Sequence, residues 1–212
     1  MSGRLRSAAF LCPETVVSCK QPVMKCGESF MADEIWDVYD VNRRRTGKTV
    51  IREQSWGFEK YHLIVHVCVF HPDGRMLIQK RAREKKAWPD LWEVSAGGSA
   101  LAGEDSWQAA EREVFEELGL KLNLKDVRPH LSVNYERGFD DFYCVIRDVD
   151  LNQLVLQKDE VAEVRWAAQQ EVQQMEREHT FVPYFSGLID FLWQIRDNYD
   201  GAICQGSGAT EV

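Results

Sequence analysis

The stretch DSWQAAEREVFEEL, residues 105–118, constrains this chain more than any other. Ala109, Ala110, Val114 and Leu118 recur at helical spacing, and Gly119 follows directly as a stop signal. The pattern predicts a helix from Asp105 to Leu118 with one face turned to a core. Glu113, Glu116 and Glu117 stand at i, i+3 and i+4, so they share a face. Like charges at that spacing cost a few tenths of a kcal/mol per exposed pair. Anions near a helix C-terminus are further disfavoured by the helix dipole. Stability alone does not account for the arrangement. Two readings remain open from the glutamates themselves: a solvated acidic face, or a site for a hard divalent cation that takes oxygen ligands and bridges carboxylates to phosphates.

The flanking residues separate these readings. Gly97-Gly98 closes a strand-like run and permits close backbone approach to a ligand. Arg112 adjoins Glu113 and can neutralise and orient a carboxylate. From Gly98 to Leu120 the run resembles the Nudix box, G-x5-E-x7-R-E-U-x-E-E-x-G-U, where U is a bulky aliphatic. Its fixed positions are filled by Gly98, Glu104, Arg112, Glu113, Glu116, Glu117 and Gly119, with Val114 and Leu120 as the aliphatics. The resemblance implies an α+β protein, the Nudix α/β/α sandwich, with a mixed β-sheet between helices. It implies Mg²⁺ or Mn²⁺ on Glu113, Glu116 and Glu117, helped by the Gly98 carbonyl. The implied catalytic set is Glu113, Glu116, Glu117 and Arg112, with Glu104 and Arg112 mainly tying loop to helix.

Elsewhere the periodicity predicts strands at 36–41, 62–71, 76–80, 91–96, 127–135, 142–146 and 164–167. Residues 43–48 read as a turn, 169–178 as a polar helix, and 185–196 as a closing amphipathic helix. Strands, helix, strands, helix argue for α+β. Residues 1–32 read as an N-terminal extension, 33–198 as the catalytic domain and 199–212 as a flexible tail.

The likeness continues upstream, toward the Nudix branch that holds isopentenyl-diphosphate isomerase and hydrolase relatives. RAREKKAWPDLW at 81–92 and Ser95 carry it. The isomerases have Cys-Gly-His where this chain has Gly97-Gly98-Ser99, and a metal-binding His where it has Ser55. His62 does match, but with its two partners missing it reads rather as a strand-edge histidine with an ordinary hydrogen bond. Isomerase chemistry is therefore rejected in favour of hydrolysis. Arg81 and Lys85 match positions that contact substrate diphosphate in the isomerases. Arg83, Lys85 and Lys86 otherwise read as a solvated basic loop.

A formal charge of −8 disfavours a nucleic-acid polymer as partner. No apolar run approaches the ~20 residues of a membrane span. Six cysteines without a C-x-x-C pair suit a reducing, cytoplasmic protein. The expected partner is a small-molecule diphosphate, of nucleotide type or another organic kind. The family resemblance also allows a homodimer. A catalytically silent ligand-binding module is the alternative, although such modules usually lose a box glutamate. Candidates for the general base are Glu113, Glu136, Asp140, Asp141, Glu160 and Glu163. Trp88, Trp92, Tyr135 and Phe139 are candidates to stack a base, or else core residues.

Overall fold

In the computed structural model, residues 34–52 and 60–197 are described. The expectations placed on residues 1–32, on the 199–212 tail, on Ser55 and on Cys12, Cys19, Cys26 and Cys204 lie outside them.

The central element is β3 (His62–Phe70), a nine-residue apolar run. Such a strand is buried on both faces, and this one is. It pairs in parallel with β8 (Gly138–Ile146) along its whole length, from His62↔Gly138 to Phe70↔Ile146. On its other edge it pairs antiparallel with β6 (Ala96–Ser99) and touches β4 (Met76–Arg81) at Phe70↔Met76. β4 extends the sheet to β5 (Trp92–Glu93) and β9 (Val161–Ala167), and β7 (Leu131–Tyr135) flanks β8. The sheet is mixed, as expected.

Strand alternation sorts the core into two layers. Leu63, Val65, Val67 and Val69 meet Ala109, Ala110, Val114 and Leu118 of α1 (Ser106–Leu118) on one face. Cys68, Phe70, Phe142 and Cys144 meet Val172 of α2 (Gln169–Arg177) and Ile189, Leu192 and Trp193 of α3 (Leu188–Ile195) on the other. Val114 and Leu118 are fully buried, each contributing about 1.5–3 kcal/mol. This is the α/β/α sandwich.

Helix α1 begins where the spacing predicts. Gln108 Oε1 accepts from the Asp105 backbone N–H at 2.8 Å. Gly119 ends it in the left-handed region at φ 68°, its N–H donating to the Phe115 carbonyl at 2.9 Å.

The structure corrects three readings. Residues 43–48 are not all turn: Arg45–Ile51 is a strand, β2, paired with β1 (Ile35–Tyr39). The turn precedes it, at the Asp40 side chain, which accepts from the Asn42 and Arg44 backbones. Only Val50 of β2 is buried, so the strand carries no alternation to read. Residues 91–96 are not one strand closed by Gly97-Gly98: Trp92–Glu93 forms β5, and Gly97 and Gly98 lie inside β6, paired with His66 and Val65. The later strands also start earlier or later than expected: β7 at Leu131, β8 at Gly138 and β9 at Val161.

Candidate active site

The C-terminal half of α1 lies over β6, and Arg112 stitches the two together. Its Nε and Nη2 form a fork on Glu104, at 2.8 and 3.0 Å. Nη2 also donates to the Ser99 carbonyl at 3.0 Å, while Nη1 is shared between Glu113 at 2.8 Å and Glu116 at 2.9 Å. Glu104 in turn accepts from the Leu101 backbone at 2.9 Å. A planar guanidinium is needed for this, since only it presents donors in a fixed fork.

Glu113 lies against Gly98 so closely that a Cβ there would overlap its carboxyl group. Burial pushes the Glu113 carboxyl up to about 7; the Arg112 charge opposes the shift and Glu116 adds to it. Glu117 is 5% exposed and accepts from Gln79 Nε2 at 3.0 Å and from the Gly97 backbone at 3.3 Å. Burial, then the charges of Glu113 and Glu93, raise it well above the ordinary carboxylate range. Glu116 is the outermost of the three, half exposed.

Gln79 links this cluster to a second carboxylate. Its Nε2 also donates to Glu93 at 3.2 Å, and Arg81 Nη1 holds Glu93 at 2.6 Å. Lys85 pairs with Glu160. Arg81 and Lys85 therefore both line the site, but each is engaged by a carboxylate of the chain itself. Arg83, by contrast, is 85% exposed, so that part of the basic loop is solvated.

These groups surround a cavity of about 370 Å³, lined among others by His66, Arg81, Lys85, Glu93, Gly98, Arg112, Glu113, Glu116, Glu117, Asp140, Glu160 and Tyr184. Of the later carboxylates, Asp140 and Glu160 line it. Asp141 does not: it points to the α1 face, held by Arg43, Ser106 and Ser132. Among the aromatics Trp88 and Tyr135 line it, Phe139 is core, and Trp92 packs under Arg165. His62 is 8% exposed, stacked on Trp36 at 4.6 Å, with its Nδ1 3.2 Å from the Arg137 carbonyl. Burial lowers it to about 4. This is a hydrogen-bonded strand-edge histidine, as the plainer reading had it.

Sequence reasoning passed over Gln79, Glu93, His66 and Tyr184. A signal for the first two existed: a Gln and a Glu inside strands otherwise reading as core must find buried partners.

Among the described residues, no three His, Cys, Asp or Glu side chains are grouped so as to hold a metal ion. Arg112 Nη1 draws Glu113 and Glu116 to itself instead. The donor set nevertheless suits a hard cation. Glu113 and Glu117 are buried carboxylates, the charge of Glu113 raising the proton affinity of Glu117, and the glycine surface of β6 leaves room at Gly98 for no side chain.

The NUDIX domain family matches residues 60–185 of this chain. An uncharacterized Nudix hydrolase of Listeria monocytogenes is 47% identical over 152 residues, covering 72% of this chain and 90% of that protein. An isopentenyl-diphosphate Δ-isomerase of Kocuria rhizophila is 30% identical over 137 residues, covering 61% of this chain and 74% of its own length. A crystal structure of a Deinococcus radiodurans protein shares the fold, with a TM-score of 0.62 at 18% identity, covering 76% of this chain and 98% of that one. With the match spanning more than half its length and the box residues gathered on one cavity, the chain belongs to the NUDIX domain family.

Proposed function

We propose that this enzyme, a Nudix hydrolase acting on phosphoanhydride bonds, depends on Mg²⁺ or Mn²⁺ and cleaves a small organic or nucleotide diphosphate in the cavity that the acidic residues of α1 border. The observation that carries the reading is that two buried carboxylates meet the glycine backbone of β6, Glu113 against Gly98 and Glu117 at the Gly97 N–H. Glu113, Glu116 and Glu117 would hold the cation, with the Gly98 carbonyl. When bound, it supplies Lewis acidity to a phosphoryl oxygen and offsets the carboxylate charge. Arg112 would keep α1 registered on β6 through the Ser99 carbonyl, and on the preceding loop through its fork on Glu104, while its Nη1 contacts yield.

Arg81 and Lys85 stand where a second phosphate can replace Glu93 and Glu160 as their partner. Water attacks phosphorus, the bridging P–O bond breaks, and a carboxylate accepts the water's proton. Asp140 and Glu160, the later carboxylates that line the cavity, are the candidates for that role in this reading. Gly97 and Ser99 supply neither the thiol nor the imidazole that isomerisation of an isoprenoid needs. The substrate remains a soluble small molecule and the compartment the cytosol in this reading. Among the described residues no helix is long and apolar enough to cross a membrane.

The test is release of phosphorylated products from soluble diphosphates with Mg²⁺ or Mn²⁺ and with EDTA. Glu116→Gln and Glu117→Gln are expected to lose most turnover while staying folded. Full metal-dependent activity in both variants overturns the assignment.

A further inference from the structure

His66, Asp140 and Tyr184 line the cavity described above, and each leaves a polar atom without a partner. His66 Nδ1, Asp140 Oδ1 and the Tyr184 hydroxyl are buried with no hydrogen bond among the described residues. Folded proteins rarely strand buried polar groups, and those that remain call for a missing ligand or water. The strands bring two of the three together. β3 and β8 run parallel with Ile64 beside Asp140 and His66 beside Phe142. His66 and Asp140 therefore share one face of the sheet, the face that carries the cavity.

The imidazole of His66 is fixed in place. It stacks on Phe142 with centroids 4.5 Å apart and planes 13° apart, and Tyr184 meets it edge-on at 5.6 Å. Gly97, its neighbour on β6, makes room for it. A Cβ there would lie 3.1 Å from His66 Nδ1 and 2.9 Å from the Val65 carbonyl oxygen. In this orientation Nε2 faces Asp140 Oδ1 at 3.7 Å. An N–H on Nδ1 would be a buried donor without an acceptor, so the ring proton belongs on Nε2, opposite the carboxylate. The separation exceeds that of a hydrogen bond, and catalytic contacts of this kind commonly close only when substrate is bound.

Resting on the hydrolase reading above, we propose that Asp140 is the base of the reaction and that His66 is its positioning residue. Glu160, the other later carboxylate on the cavity, is already paired with Lys85, whereas Asp140 Oδ1 has no donor. The attacking water sits between Asp140 and the Tyr184 hydroxyl, which supplies the second polar partner a held water needs. As the water oxygen bonds to phosphorus, Asp140 takes its proton. The bridging P–O bond breaks, and the departing phosphate keeps that bond's electron pair. The His66 N–H holds the carboxylate aimed at the water before the step. Phe142 and Gly97 act only by fixing the ring.

The experiment uses the full chain, with hydrolysis of ADP-ribose and isopentenyl diphosphate followed in Mg²⁺ and imidazole ¹H–¹⁵N spectra recorded in EDTA. Asp140→Asn keeps the shape of the side chain. It should lower kcat by about a hundredfold or more, with KM within about threefold, on either probe that wild type accepts. Formate should restore part of the turnover of Asp140→Ala, an effect that a structural role does not produce. His66→Leu should lose about tenfold in kcat and His66→Gln less, because the amide still offers a donor near the place of Nε2. In the spectra His66 should carry its proton on Nε2, and that signal should move in Asp140→Asn but not in Glu160→Gln. Retained turnover in Asp140→Asn, or a loss confined to Glu160→Gln, overturns the base assignment. A proton on Nδ1, or equal losses in the two His66 variants, overturns the positioning role. Wild type inactive on both probes, with the His66 signal still moved by Asp140→Asn, overturns the hydrolase reading for these substrates and leaves the pair standing.

Discussion

Glu113 rests against the bare α-carbon of Gly98, and a Cβ at that position would occupy the space of its carboxyl group. The neighbour that must move is the far end of a flexible side chain, so the fold can absorb the change while the site cannot. Gly98→Ala should therefore cost no more than about 1 kcal/mol of stability. It should also lower Mg²⁺-dependent turnover by at least about tenfold, through displacement of Glu113. Denaturant unfolding and activity measured on the same preparation check this. Loss of both together would mean that Gly98 is needed for packing alone.

Arg112 holds five acceptor contacts, and an ammonium group cannot reproduce its fork on Glu104. Arg112→Lys should destabilise the protein by about 2 kcal/mol, since the pair is only partly exposed. Urea unfolding of Arg112→Lys and of Glu104→Gln, singly and together, measures the coupling. Additive losses would show that the fork does not act as one unit.

Two buried groups give opposite pH dependences. Glu113 rises from 4.5 to about 7 on burial, so between those values the folded protein keeps a proton that the unfolded chain has lost. Its contribution to stability therefore falls as pH rises through that window. Glu117 acts in the same direction. His62 is lowered from 6.5 to about 4, so its contribution is lost as pH falls through that range. Glu113→Gln removes one descending term. Relative to wild type in EDTA, it should gain on the order of 3 kcal/mol in unfolding free energy from pH 4 to pH 8. Parallel pH profiles for the two proteins would contradict the assignment.

Arg81 is the ion-pair partner of the buried Glu93. Arg81→Met strands that carboxylate and should cost about 3 kcal/mol. Adding Glu93→Gln should restore most of the loss, because the uncompensated charge is gone. If Arg81 also meets substrate phosphate, KM stays raised in the double variant despite the recovered stability. Recovery of KM along with stability would confine Arg81 to a structural role.

Much of the site was legible because its spacing is local. The turn of a helix places Glu113, Glu116 and Glu117 together whatever surrounds it, and Arg112 and Gly119 frame them within the same segment. The apolar run of β3 was legible for a similar reason, while β2 was not, since an exposed hairpin strand carries no hydrophobic period.

Asp140 and Asp141 show where such reading stops. Adjacent on β8, they point to opposite faces of the sheet, one into the cavity and the other beneath α1. Which face holds the chemistry depends on the parallel register of β8 on β3.

The same holds for Gln79, Glu93 and Glu117, which come from two strands and a helix and meet because β4 and β5 pair and α1 lies across the sheet. By itself the sequence determined α1, its acidic face and the glycines that flank it, because these depend on neighbours within a few residues. Only the tertiary structure decided which distant groups close the cavity and that Arg81 and Lys85 already have partners. Those depend on strand register and layer packing, which no local pattern encodes.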